Sequence, residues 1–199
     1  MKLEVPFIQQ TTKFNCGPVA LQMIFSYLGG SESLDILEEK CGIKDGKAVS
    51  TLSLAICAKE LGYDVELNSD SFEIDESLMD LDYYKKHGGV NWADEVKRLI
   101  EEAKEKGVKL TEGKLELKDI LDKISEECIP IALLDWNVIK GKEEYLGHFV
   151  PIIGYDEENV LVHNQGMLNP TSFLEISRDV FDKARNAKGT DGDILFLKK

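Results

Sequence analysis

Residues 9–28 read QQTTKFNCGPVALQMIFSYL, and the fold turns on how this stretch is understood. A polar loop ends at Asn15, and from Cys16 onward apolar residues stand at 19, 20, 21, 23, 24, 25, 27 and 28. A helix apolar on nearly every side has to be buried centrally. Pro18 suits its first turn, where a missing N–H costs nothing, and Gly29-Gly30 supplies the stop. The reading therefore predicts a buried central helix with a cysteine at its N-terminus. That thiol has two explanations. A small residue is tolerated near a helix cap, or the unpaired N–H groups and positive end of the helix dipole present a thiolate with a lowered pKa.

The rest of the chain supplies the setting. At 199 residues with 43% hydrophobic residues it has enough apolar material for one core without a disulfide or metal staple. No apolar run reaches the roughly 20 residues of a membrane span, and MKLEVPFIQQTT has no signal-peptide core. A cytoplasmic protein with no membrane partner is the expectation. Cys16, Cys41, Cys57 and Cys128 form no C-x-x-C pair and no metal-ligand spacing with His, so reduced thiols, no metal and no cofactor are expected. A net charge of −13 argues against a nucleic-acid partner, because the phosphate backbone would be repelled.

Around the central helix, residues 1–12 suit an extended segment, while 33–41 and 50–61 read as helices closed by Gly42 and Gly62. Residues 66–115 differ: SDSFEIDESLMDLDYY is acidic and helix-compatible, KKHGGVN reads as a turn, and WADEVKRLIEEAKEKG as an amphipathic helix. This stretch is expected to be a helical insertion within a single domain spanning 1–199, and its acidic face offers a surface for a protein partner. ELKDILDKISEEC follows as a helix and IPIALLDWNVI as a strand. HFVPIIGYDEENVLVHNQG reads as two strands around the turn YDEEN. FLEI, SRDVFDKARNA and DILFLKK read as strand, helix and strand. Helices first and antiparallel strands last give an α+β class.

A nucleophilic cysteine needs a base, and the chain has three histidines. His87 lies in the polar KKHGGVN turn and reads as a solvated surface residue. His148 opens a strand after Gly147, at an edge where its ring can face a cleft. Asn164 lies on the next strand of the hairpin, about 4.8 Å across, and is the candidate to orient the imidazole. It is equally placed to be a turn residue ahead of Gln165-Gly166. His163 should point to the opposite face from Asn164, and Asp156 falls in the turn itself.

With these residues assembled, QTTKFNCGPVALQMIFSYLG and GHFVPIIGYDEENVLVHNQG resemble the papain-fold cysteine peptidases related to bacteriocin double-glycine leader peptidases. In that family a Gln stands six residues before a Cys-Gly pair that opens the central helix. Gln10 matches the Gln, Cys16 the nucleophile, His148 the base and Asn164 the third member. The separation of about 130 residues between Cys16 and His148 suits papain-like enzymes. The resemblance implies a papain-like fold and hydrolysis of a peptide or related amide bond through a thioester, with the oxyanion held by the Cys16 N–H and the Gln10 amide. Gln9, on the other side of the extended segment, should face outward. Two departures stand out: the family's Asp-Pro is Asn164-Gln165 here, and these residues show neither the membrane span nor the ATPase motif of the transporters to which such peptidases are usually fused. The same site would also suit an acyltransferase or transpeptidase, or a non-catalytic peptide-binding module on a peptidase-like scaffold.

Overall fold

The structure is a computed structural model that describes residues 1–43, 48–87 and 91–199. Its first helix, α1 (Cys16–Tyr27), begins on the cysteine and buries Val19, Ala20, Leu21, Met23, Ile24 and Phe25. It ends where Gly29 takes a φ of 86° and the Gly30 N–H turns back to Phe25 O at 2.7 Å. Two flanking helices follow, α2 (Leu34–Lys40) and α3 (Thr51–Glu60), each started by a serine whose hydroxyl accepts a first-turn N–H.

The stretch expected to be a helical insertion departs from that reading at both ends. Residues Asp64–Ser69 form strand β1 and Lys109–Glu112 form strand β2, which pair in parallel as part of the main sheet. Only the part between them is helical: a 3-10 turn over Glu76–Asp80, α4 (Asp82–His87) and α5 (Trp92–Glu105). Of the expected KKHGGVN turn, Gly88, Gly89 and Val90 lie outside the described residues. The sequence hid β1 because four of the six residues of DVELNS are polar, and its place between β2 and the C-terminal strand depends on distant partners.

Next come α6 (Leu117–Asp122), β3 (Cys128–Asp135) and α7 (Trp136–Ile139). The apolar run 129–139 thus divides rather than forming one strand. The Asp135 carboxylate accepts the N–H groups of Asn137 and Leu146, both at 3.0 Å, which starts a helical turn and ends the strand. Strands β4 (Gly147–Tyr155), β5 (Asn159–Asn164) and β6 (Thr171–Ser177) are followed by α8 (Arg178–Arg185) and β7 (Ile194–Lys198).

These strands form one sheet in the order β2-β1-β7-β3-β4-β5-β6, antiparallel apart from the β1–β2 pair. The inner strands β3, β4 and β7 are buried on both faces, which accounts for their near-continuous apolar runs. Helix α1 lies against β4, and α8 packs on β3. The N-terminal segment pairs antiparallel with the end of β4, with Leu3 N–H bonded to Ile153 O at 2.8 Å. Gly154 leaves room for it, since a Cβ there would lie 2.4 Å from Met1 O. Among the described residues no helix is long and apolar enough to cross a membrane.

Candidate functional site

Cys16 is the first residue of α1 and is 9% exposed. Backbone N–H groups of Phe149, Gly17 and Cys16 itself point at its sulfur and favour the thiolate, as a helix N-terminus should. Burial nevertheless outweighs them and raises the thiol pKa. The lowered pKa expected from the helix dipole is therefore not found in this resting arrangement, because the desolvation of a buried anion exceeds what three N–H groups return. The glycine of the Cys-Gly pair has a packing reason. A Cβ on Gly17 would stand 2.9 Å from both Leu54 methyl groups, so its absence lets α3 press against the first turn of α1.

The N–H that reaches Cys16 from strand β4 belongs to Phe149, the residue after His148. His148 sits near the start of β4 opposite Leu134 of β3, 7% exposed, with the Trp136 ring edge-on at 4.8 Å. Burial lowers its pKa to about 4. Asn164 acts in the opposite direction, and Lys140 adds slightly to the lowering. Among the described residues, the buried Nε2 of His148 has no hydrogen-bond partner. The Asn164 side chain is held from both sides: Oδ1 accepts Gly166 N–H at 3.1 Å and Nδ2 donates to Asn169 O at 2.9 Å. Gly166 borders both residues, since a Cβ there would lie 2.9 Å from Asn164 Oδ1 and 3.8 Å from His148 Nε2.

Gln10 is buried and Gln9 is exposed. The Gln10 backbone N–H donates to Gln165 O at 2.9 Å, its Nε2 donates to Thr12 O at 2.8 Å, and its buried Oε1 has no partner among the described residues. Asn15, just ahead of the cysteine, does not cap α1 with its side chain. It ties the loop instead, accepting Thr12 N–H and donating to Thr11 Oγ1 and to Glu38. His163 is brought to neither Cys16 nor Asn164. It is fully buried, with Nε2 bonded to Val5 O at 2.9 Å and Nδ1 accepting Phe173 N–H at 3.2 Å, which makes it a neutral bracket for the N-terminal segment.

Cys16 opens onto a cavity of about 550 Å³. Its wall includes Tyr83 and His87 of α4, clustered with Phe14 and Tyr145. Tyr83 lies 5.2 Å from the Tyr145 ring and 5.1 Å from the His87 ring, and Phe14 stands 5.4 Å from His87. His87 is thus half-buried in the wall, not a solvated turn residue. The Tyr83 hydroxyl pKa is raised by burial, with Cys16 nearby adding to it. In the same lining Asp193, hydrogen-bonded by Thr51 Oγ1, is raised to about 7 by burial, and the neighbouring Asp191 is also raised. Sequence reading missed Tyr83 and Asp193. Neither lies near a motif, and only the tertiary fold brings them to the cavity that Cys16 lines.

A protein-family model described as guanylylate cyclase matches residues 5–197. Among solved structures, the peptidase domain of Streptococcus ComA, a bifunctional ABC transporter of a quorum-sensing pathway, superposes with a TM-score of 0.56 at 14% identity. The match covers 99% of this chain and 97% of that one. A double-glycine motif protease from an AMS/PCAT transporter, solved with its leader peptide, gives 0.55 at 16% identity, covering 100% and 94%. A putative C39-like peptidase from Bacillus anthracis gives 0.54 at 16% identity, covering 100% and 98%. At these identities the likeness establishes the fold, which is the α+β, papain-like architecture of C39 peptidase domains.

Proposed function

The chain belongs to the guanylylate cyclase family, and from that premise we propose that it uses its papain-like fold as a thiol hydrolase acting on a peptide or related amide bond. The observation that carries this reading is the convergence on Cys16 of a helix N-terminus and of the N–H next to His148, with Asn164 beside that histidine. In the proposed reaction the Cys16 sulfur attacks the carbonyl carbon while His148 takes the thiol proton. The oxyanion is held by the Cys16 N–H and by the Gln10 amide, once that amide turns from Thr12 O. His148 returns the proton to the leaving amine, and water then hydrolyses the thioester. Because the resting thiol is raised and the imidazole is held near 4, the resting pair is neutral. Proton transfer therefore accompanies attack, as general-base catalysis, rather than preceding it as a stored ion pair.

The family's description points to cyclisation of a guanine nucleotide. The cavity chemistry favours hydrolysis over that reaction. Glu73, Asp75, Glu95, Asp191 and Asp193 line the space, and Lys13 is the one ammonium among the described lining residues. A triphosphate without a bound cation would be repelled by Glu73, Asp75 and Glu95, with Asp191 and Asp193 contributing less because burial raises both, whereas a neutral or cationic peptide would not be repelled. The four cysteines, all unpaired thiols, fit a reducing cytoplasmic setting for such chemistry.

The test pairs both reactions. The wild-type protein and Cys16→Ala are incubated with a mixture of peptides and, separately, with GTP and Mg²⁺. Peptide cleavage that disappears in Cys16→Ala supports the proposal, and added amine acceptors in the same assay reveal any acyl transfer. Cyclic nucleotide formed equally by both proteins, with no peptide cleavage, overturns it.

A further inference from the structure

Gln165 has no role in the reaction proposed above, yet it is fully buried at its centre. It follows Asn164 at the end of β5, and its carboxamide reaches back under the site. Its Nε2 donates one hydrogen to Cys16 O at 2.9 Å and the other to Phe149 O at 2.6 Å. Its own backbone carbonyl accepts the Gln10 N–H at 2.9 Å. One residue therefore ties three separate pieces of chain: the first turn of α1, the strand β4 at the position after His148, and the segment that carries Gln10. The fourth, Asn164, is its covalent neighbour.

The chemistry of the contact demands an amide. Both acceptors are carbonyls, so the group facing them must carry two N–H bonds, and the opposite orientation would set three oxygens against one another. A side chain of the same length without the donor leaves two buried carbonyl lone pairs without that partner. The tie also bears on the reacting atoms. Phe149 receives the Gln165 amide on its carbonyl and offers its N–H to the Cys16 sulfur, so strand and helix are held at the point where thiol and imidazole elements meet.

We infer that Gln165 is a positioning residue for acyl transfer: its carboxamide holds the Cys16 end of α1 against the strand carrying His148. This rests on the reading of Cys16 as the nucleophile, and the experiment separates the two. The probe is p-nitrophenyl acetate. In its acylation the sulfur–carbonyl bond forms, the aryl ester C–O bond breaks, p-nitrophenolate leaves, and His148 takes the thiol proton. The burst of p-nitrophenolate is measured against pH for the wild type, Cys16→Ala, Gln165→Met and Gln165→Glu, with urea unfolding of each protein alongside.

A positioning role predicts that Gln165→Met acylates about 100-fold more slowly per folded molecule, since a misplacement of about 1 Å costs that much. The probe's half-saturating concentration stays within about threefold of wild type, and the acid limb of the profile moves. Gln165→Glu, which keeps the shape, falls between the two at pH values where its carboxyl is protonated and offers one donor, and it decides the matter if Gln165→Met does not fold. A role limited to stability lowers the unfolding midpoint and leaves the rate and pH profile of the folded protein unchanged. That result, with a normal wild-type burst, overturns the positioning role alone. A wild-type burst no larger than that of Cys16→Ala overturns the nucleophile reading and the positioning role with it.

Discussion

Acidification should weaken this protein through one buried ring. His148 has a pKa of about 4 in the folded chain against 6.5 for an unburied imidazole, chiefly because burial penalises its cation. Between those values the unfolded chain binds a proton that the folded chain refuses, so stability rises with pH across the window and is lost as pH falls through it. At about 1.36 kcal/mol per pH unit, the gap is worth about 3 kcal/mol between pH 7.5 and 4. That is a large share of the 5–15 kcal/mol typical of a folded domain. The perturbation is His148→Gln. Urea unfolding at a series of pH values should show the wild type losing about 3 kcal/mol relative to the variant on acidification. Contributions from His163 and Asp193, present in both proteins, cancel in the difference. With three histidines in the chain, ring-proton NMR can follow each one directly. A His148 resonance titrating near 6.5, or a difference between the two proteins that stays flat with pH, would refute the burial argument. The acid limb of kcat/KM should fall near 4 for the same reason.

Three other outcomes follow from the site. Asn164→Asp sets a carboxylate beside His148 and should raise its titration by about 1–3 pH units, seen by NMR, with faster Cys16 alkylation near neutrality. Gln10→Ala should lower turnover by about 10²–10³, the usual loss of an oxyanion donor, while the exposed Gln9→Ala stays within about threefold. Asp193, raised to about 7, holds a proton in the folded chain that the unfolded chain releases near 3.8, so it weakens the protein as pH climbs from 4 to 7. Asp193→Asn should therefore gain stability over the wild type as pH rises to 8, measured by the same urea series.

What could be read from the sequence and what could not divide along physical lines. The span of α1 was legible because nine of its residues are buried, and a helix apolar on nearly all sides leaves no other placement. The hairpin of β4 and β5 was legible because its turn is local and Asp156 accepts the N–H groups of Glu158 and Asn159 within it. The opposed burial of Gln9 and Gln10 followed from alternation along an extended segment. Strand β1 was hidden because a mostly polar strand draws its stability from neighbours on either side, here β2 and β7, far away in sequence.

The same distinction governs the site. The sequence by itself determined which residue types stand at the head of the buried helix and on the hairpin, since helix periodicity, strand alternation and turn chemistry are local properties. Only the tertiary structure decided the balance of charge there. Burial raises the Cys16 thiol against its own helix dipole and holds His148 near 4, and both effects come from atoms supplied by other elements. It alone also decided that α4 would wall the cavity and that Gln165 would span helix and strand. Desolvation and hydrogen-bond geometry depend on what lies within a few ångströms in space, which no run of neighbouring residues contains.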